Sequence, residues 1–222
     1  MDEQRTTGAR GIAQLIELGR DREAAELAAH EQGVGTVGGK RGGPMDVLSQ
    51  LDELGPLLAG TVGGITPGQL DAPTPCAALD VRGVLQHMVD GATTFTAAFG
   101  GTAPQIADRT DVLAAFVPAL DALSGAIHRP GALDATVDGP FGSVGGETFA
   151  RFVVLDGVVH GWDLATATGQ RYEPSDALVA DVRGFADGAL TGMRGDAFAP
   201  PVEPPASATP IERLAAFTGR RV

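Results

Sequence analysis

The residues best suited to chemistry stand in one short run, Leu155-Asp-Gly-Val-Val-His-Gly-Trp-Asp-Leu164. Asp156 precedes His160 by four positions. On a helix, residues i and i+4 lie one above the other on one face. A carboxylate and an imidazole so spaced can chelate one divalent ion, the logic that underlies the two-histidine zinc motif of helical metalloproteases. A third ligand must come from another element. Of the four histidines (His30, His87, His128 and His160), His87 is the best placed, midway along an apolar helical pattern. Two nitrogen donors and one oxygen donor leave an open coordination position on Zn²⁺ or a similar ion, as catalytic sites do.

Plainer readings stand beside each of these. An Asp/His pair four residues apart is commonly a helix-face hydrogen bond, and a histidine among apolar neighbours is commonly a satisfied core or rim residue. Against them, Asp156 is the only charge among Val153, Val154, Leu155, Val158 and Val159. A carboxylate buried there without a partner is costly, and His160 or a cation is the natural partner. Asp163 reads either as an acceptor that orients an imidazole or as a helix-end charge. Cys76, in a Pro-flanked loop, could be a reactive thiol or metal ligand, but with no histidine or second cysteine near it in sequence the plainer reading is a small apolar residue. His128, at a helix end before Arg129-Pro130, suits the helix dipole, and His30 has no role assigned. No Gly-rich stretch ends in the Lys-Ser/Thr of a phosphate loop, and no Gly-x-Ser-x-Gly elbow occurs.

The elements that must position these residues are helical. The spacing of apolar residues predicts a first main helix over 46–64 and a second from Asp80, its N-cap, to about 99. A crossover helix follows over 110–127, then a short hairpin or irregular segment over 131–145. The third main helix covers 146–167 and stops at Gly169; the fourth covers 175–191 with Ser175 as N-cap, and a short helix lies near 210–217. Upstream, 9–32 also reads as a helix, followed by the Gly-rich 33–44. Residues 1–44 are expected to be an appendage or an over-long start with Met45 the natural first residue, which the intact mass of native protein checks, and 45–222 a single helical bundle. These lengths imply an all-α bundle with a long crossover.

Composition narrows the partners. The 28 acidic against 16 basic residues give a net charge of −12, which opposes nucleic-acid phosphates and anionic membranes. A lone cysteine excludes an internal disulfide and suits a reducing compartment. No signal-peptide core or membrane span is evident, so a cytoplasmic location is expected.

Three motifs carry a resemblance. Pro73-Thr-Pro-Cys76 with Asp80-Val-Arg82 and Leu85-Gln-His87, then Val159-His-Gly-Trp-Asp-Leu-Ala165 with Thr168-Gly-Gln170, and finally Leu214-Ala-Ala-Phe-Thr-Gly-Arg220, resemble the mycothiol-dependent maleylpyruvate isomerase N-terminal domains of the DinB/YfiT-like superfamily. The resemblance spans Met45 to Arg220. It implies a DinB-like four-helix bundle, running up-down-down-up, that holds a divalent metal, zinc or else nickel, on His87, Asp156 and His160. It also implies a low-molecular-weight thiol such as mycothiol as cofactor, with an electrophile as substrate. Two departures stand out. The family's glutamate is Asp156 here, one methylene shorter, and its aromatic before the second helix is Leu79. Only 192–222 follows the fourth helix, so the isomerase's C-terminal domain is expected to be missing and maleylpyruvate isomerisation not to carry over. The functional expectation is a metal-dependent thiol transferase or isomerase; the alternative is a non-catalytic metal- or ligand-binding module.

Overall fold

In the computed structural model, the described residues are 44–106, 108, 110–139, 142–190 and 199–222. The helix expected at 9–32 lies outside them, as does all of the expected appendage but Pro44. Among the described residues, six α-helices and one hairpin follow in order: α1 (Val47–Gly63), α2 (Val81–Ala98), α3 (Val112–Ile127), β1 (Thr136–Gly139), β2 (Gly142–Gly145), α4 (Gly146–Thr168), α5 (Asp176–Ala189) and α6 (Pro210–Phe217). The all-α class is as the periodicity predicts; the helix expected as a crossover, α3, is instead the third member of the bundle because it packs along α2 and α1, so the hairpin precedes the fourth bundle helix and α5 lies outside the four.

Local chemistry fixes the ends. Asp80 accepts from the Gly83 amide at 2.7 Å and opens α2, and Ser175 accepts from the Leu178 amide at 3.1 Å and opens α5. A side-chain acceptor satisfies an amide that the first helical turn leaves unpaired. Gly169 closes α4 at φ +72°, a left-handed cap that favours glycine. β1 and β2 pair antiparallel from Thr136↔Gly145 to Gly139↔Gly142.

Contacts give the directions of the bundle. Gly157 and Gly161 of α4 lie against Leu54 and Leu58 of α1, and the Thr61 carbonyl accepts from Gln170 at 2.9 Å. Rising numbers thus match rising numbers, and α1 and α4 are parallel. Arg129, just past α3, donates to the carbonyls of Phe99 and Gly100 just past α2, so those two helices are also parallel. His128 at the end of α3 pairs with Asp52 near the start of α1 at 3.1 Å. Phe149, early in α4, stacks edge-on with Phe95 and Phe99 late in α2. Both of those pairs are antiparallel. The order is therefore up, down, down, up, with residues 64–80, 99–111 and 128–145 as the connections.

α4 is the central element. Val154, Leu155, Val158, Val159 and Leu164 are all buried, which explains a sequence apolar on nearly every side. α5 covers its outer flank through Phe152 and Phe185, whose rings lie 4.9 Å apart. α6 packs on α5, where Arg183 lies 3.8 Å over the Phe217 ring. The seam between α1 and α4 depends on small residues. A Cβ at Gly161 would lie 2.5 Å from the Tyr172 hydroxyl and 2.9 Å from Leu58 Cδ2. We therefore expect Gly161→Ala to destabilise by about 1–3 kcal/mol through overpacking. A thermal melt checks it, and an unchanged Tm would mean that the seam relaxes freely. Among the described residues, no helix is long and apolar enough to cross a membrane.

Candidate metal centre

α2 and α4 run antiparallel where His87 faces Asp156 and His160. Asp156 Oδ1 lies 3.4 Å from His87 Nε2 and 3.5 Å from His160 Nε2. The imidazole rings meet edge-on, with centroids 5.0 Å apart. One nitrogen from each histidine and one carboxylate oxygen fall within 4.8 Å of one another. The three residues singled out by type and spacing are thus brought together. These separations are long for hydrogen bonds, which centre near 2.9 Å. They match the edge of a tetrahedron around zinc, about 3.3 Å for donors 2.0–2.1 Å from the metal.

Burial is graded across the cluster. His160 is 7% exposed, the His87 side chain 26% and the Asp156 side chain 46%. The trio therefore opens on one side. Burial resists ionisation of Asp156, but the imidazoles of His160 and His87 outweigh it and hold its carboxyl well below the usual carboxylate range. The Asp156 charge in turn raises the affinity of His87 for a proton above the ordinary imidazole value, against its own burial.

Behind His160 lies a second layer. His160 Nδ1 meets Asp163 Oδ2 at 3.0 Å. Asp163 is fully buried, and Arg220 from beyond α6 donates to both its oxygens, at 2.9 Å from Nη2 and 3.3 Å from Nε. Burial pushes the Asp163 carboxyl up, but its bonds to His160 and Arg220 prevail and keep it ionised. A charged acceptor at Nδ1 holds the proton there and leaves Nε2 as a lone pair aimed at the open trio. Of the two readings of Asp163, orientation of an imidazole is the one its position supports.

Two participants escaped the sequence. Arg220 closes a motif noted for its pattern alone, and nothing local marked it as the partner of a residue 57 positions away. Cys76 is a half-buried free thiol, and its sulfur lies within 4.8 Å of ligating atoms on His160 and Asp163. The loop that carries it is closed by a bridge between Pro73 and Asp80 and by the Thr74 hydroxyl bound to the Leu79 carbonyl at 2.6 Å. Burial pushes this thiol's pKa up, Arg220 draws it down, and Asp163 adds to the rise. His128 is structural: its Nδ1 meets the Ser124 carbonyl at 2.8 Å, in addition to the Asp52 pairing.

An up-down-down-up bundle with two histidines and a carboxylate gathered on facing helices defines a DinB-like protein. The sequence model of the mycothiol maleylpyruvate isomerase N-terminal domain matches residues 51–165, a little over half the chain, and the chain belongs to that family. It is similar to two uncharacterised proteins of Mycobacterium tuberculosis, from strain CDC 1551 / Oshkosh and strain ATCC 25618 / H37Rv. Each is 31% identical over 183 residues, which cover 80% of this chain and 100% of the relative. No solved structure matches.

Proposed function

We propose that this protein binds one divalent ion, zinc before nickel, on His87, Asp156 and His160. On that ion it acts as a thiol-dependent transferase or isomerase toward a small electrophile, with a mycothiol-type thiol as the sulfur donor. The observation that carries the reading is the convergence of two imidazole nitrogens and a carboxylate oxygen within 4.8 Å on one open side of the bundle. The donor set is that of three-ligand zinc sites, which keep a position free. A divalent ion held there supplies Lewis acidity that favours the thiolate of a thiol in the free position.

The chain's own residues do the rest. Asp163 keeps the His160 proton on Nδ1, and Arg220 keeps Asp163 charged and in place. His160, on α4, is itself buried, which shields the inner side of the cluster from water. The shorter Asp156 reaches the shared point from α4 because α2 lies close enough for a 3.4 Å approach to His87. The thiol would lose its proton to solvent and its sulfur would form a C–S bond to an electrophile held beside it; in a transfer the leaving group departs with the electron pair of the broken bond, and in an isomerisation the sulfur adds to a double bond and is eliminated again as thiol.

The test is conjugation of a chromogenic aryl halide by metal-loaded protein with mycothiol, and with other cellular thiols as controls. Thiol consumption above the uncatalysed rate, lost on chelation and restored by zinc, is the expected result. Stoichiometric metal without conjugation by any thiol would leave the metal site and move the protein to the second reading, a non-catalytic binding module.

A further inference from the structure

The cluster opens onto a cleft of about 60 Å³ between all four bundle helices, with His87 and Asp156 in its wall. We propose that this cleft takes an uncharged, apolar small molecule as the electrophile and rejects dicarboxylates. The inference rests on the thiol-transfer reading of the site and names its substrate class.

The lining carries the argument. Most of the lining residues are apolar, Leu58, Met88, Phe95, Phe116 and Leu120 among them. Besides His87 and Asp156, its one other polar side chain is Ser124. Among the described residues that line it, none is Lys or Arg. With the ion and the thiol in place, the carboxylate of Asp156 and the thiolate together balance the divalent charge, so an anion entering here leaves water and finds no net countercharge. Arg220, behind the cluster, is committed to Asp163 and does not line the cleft. A neutral apolar guest gives up little hydration and gains contact with the walls.

The space is built into the helices. A Cβ at Gly55 of α1 would meet no atom within 4 Å, and one at Gly91 of α2 would meet only Phe95, at 3.6 Å. Glycine weakens a helix interior, yet these two positions leave room where ordinary side chains would fill it. At 10–15 Å³ for each water-sized group, the cleft holds about four to six such groups, the size of a small ring or short chain.

The experiment uses the full metal-loaded chain, saturated with 2-mercaptoethanol as the thiol and carrying methyl-labelled methionine, because Met88 lines the cleft and reports occupancy by NMR. Toluene and the maleate dianion are titrated separately near neutral pH. Toluene is expected to shift the Met88 methyl signal saturably while maleate does not. Gly55→Leu, which places a side chain in the open space, should weaken toluene by about tenfold or more. Maleate binding at least as tightly as toluene, toluene indifferent to Gly55→Leu, or no toluene binding each overturns the proposal. If Gly55→Leu does not fold, the comparison of toluene with maleate on the unaltered chain decides alone. Metal content is measured on the same samples. Toluene binding without metal would defeat the metal site and keep the apolar cleft; stoichiometric metal with maleate preference would do the reverse.

Discussion

The His160→Ala protein is expected to purify without stoichiometric metal while keeping its helical far-UV spectrum. The imidazole supplies one of three converging donors. Loss of a residue that merely supports a ligand costs 10–100-fold in metal affinity, so loss of the ligand itself should cost more than about 100-fold. The fold should survive because Asp163 keeps Arg220 at 2.9 Å when the imidazole is gone. No buried charge is stranded, and the cost is about 1–3 kcal/mol for the vacated hydrogen bond and space. His87→Ala should give the same metal loss from the other helix. Elemental analysis and circular dichroism on freshly purified proteins are sufficient. Metal content unchanged in both variants would mean that the ion, if any, binds elsewhere.

Arg220→Met is expected to destabilise the whole bundle rather than only the site. Asp163 is fully buried, and its other side-chain partner is the His160 imidazole. Removing one member of a buried pair costs about 3–5 kcal/mol, because the remaining charge is uncompensated. For a chain of this size, that lowers the Tm by roughly 6–20 °C. The sign with pH is fixed. In the parent protein the Asp163 pKa is depressed below the carboxylate value of 3.8, so its stabilising contribution is present above that pH and fades as pH falls through the folded value. In Arg220→Met, burial acts on Asp163 without the guanidinium and favours its neutral form. The difference between the two proteins should be widest near neutrality and narrow on acidification. A difference independent of pH would assign the effect to lost packing of the arginine stem instead.

What could be read before folding was what neighbouring residues decide. Asp80, Ser175 and Gly169 mark helix ends through bonds within four residues. Asp156 and His160 share a helix face by spacing alone, and α4 is surrounded because its sequence is apolar all round. His87 was within reach because histidines are few and its helix is amphipathic. The rest depends on chain pairing that no local pattern encodes. Asp163 stayed ambiguous, since its meaning comes from Arg220 across 57 positions. Cys76 has no histidine close in sequence, yet its loop folds back beside His160. The cleft was invisible because Gly55 and Gly91 count as helix-weakening residues until α1 and α2 are known to face a common space.

The neighbour relations of the helices also bear on how the chain is made. α2 and α3 are successive and lie together, but α1 lies against α4, which begins only at Gly146. On the ribosome, Leu54 and Leu58 emerge long before the glycine face that receives them. The first helix cannot complete its native contacts until α4 has left the exit tunnel. A bundle wired in this order closes late, by long-range docking of its last long helix, and that same docking event brings His160 to His87.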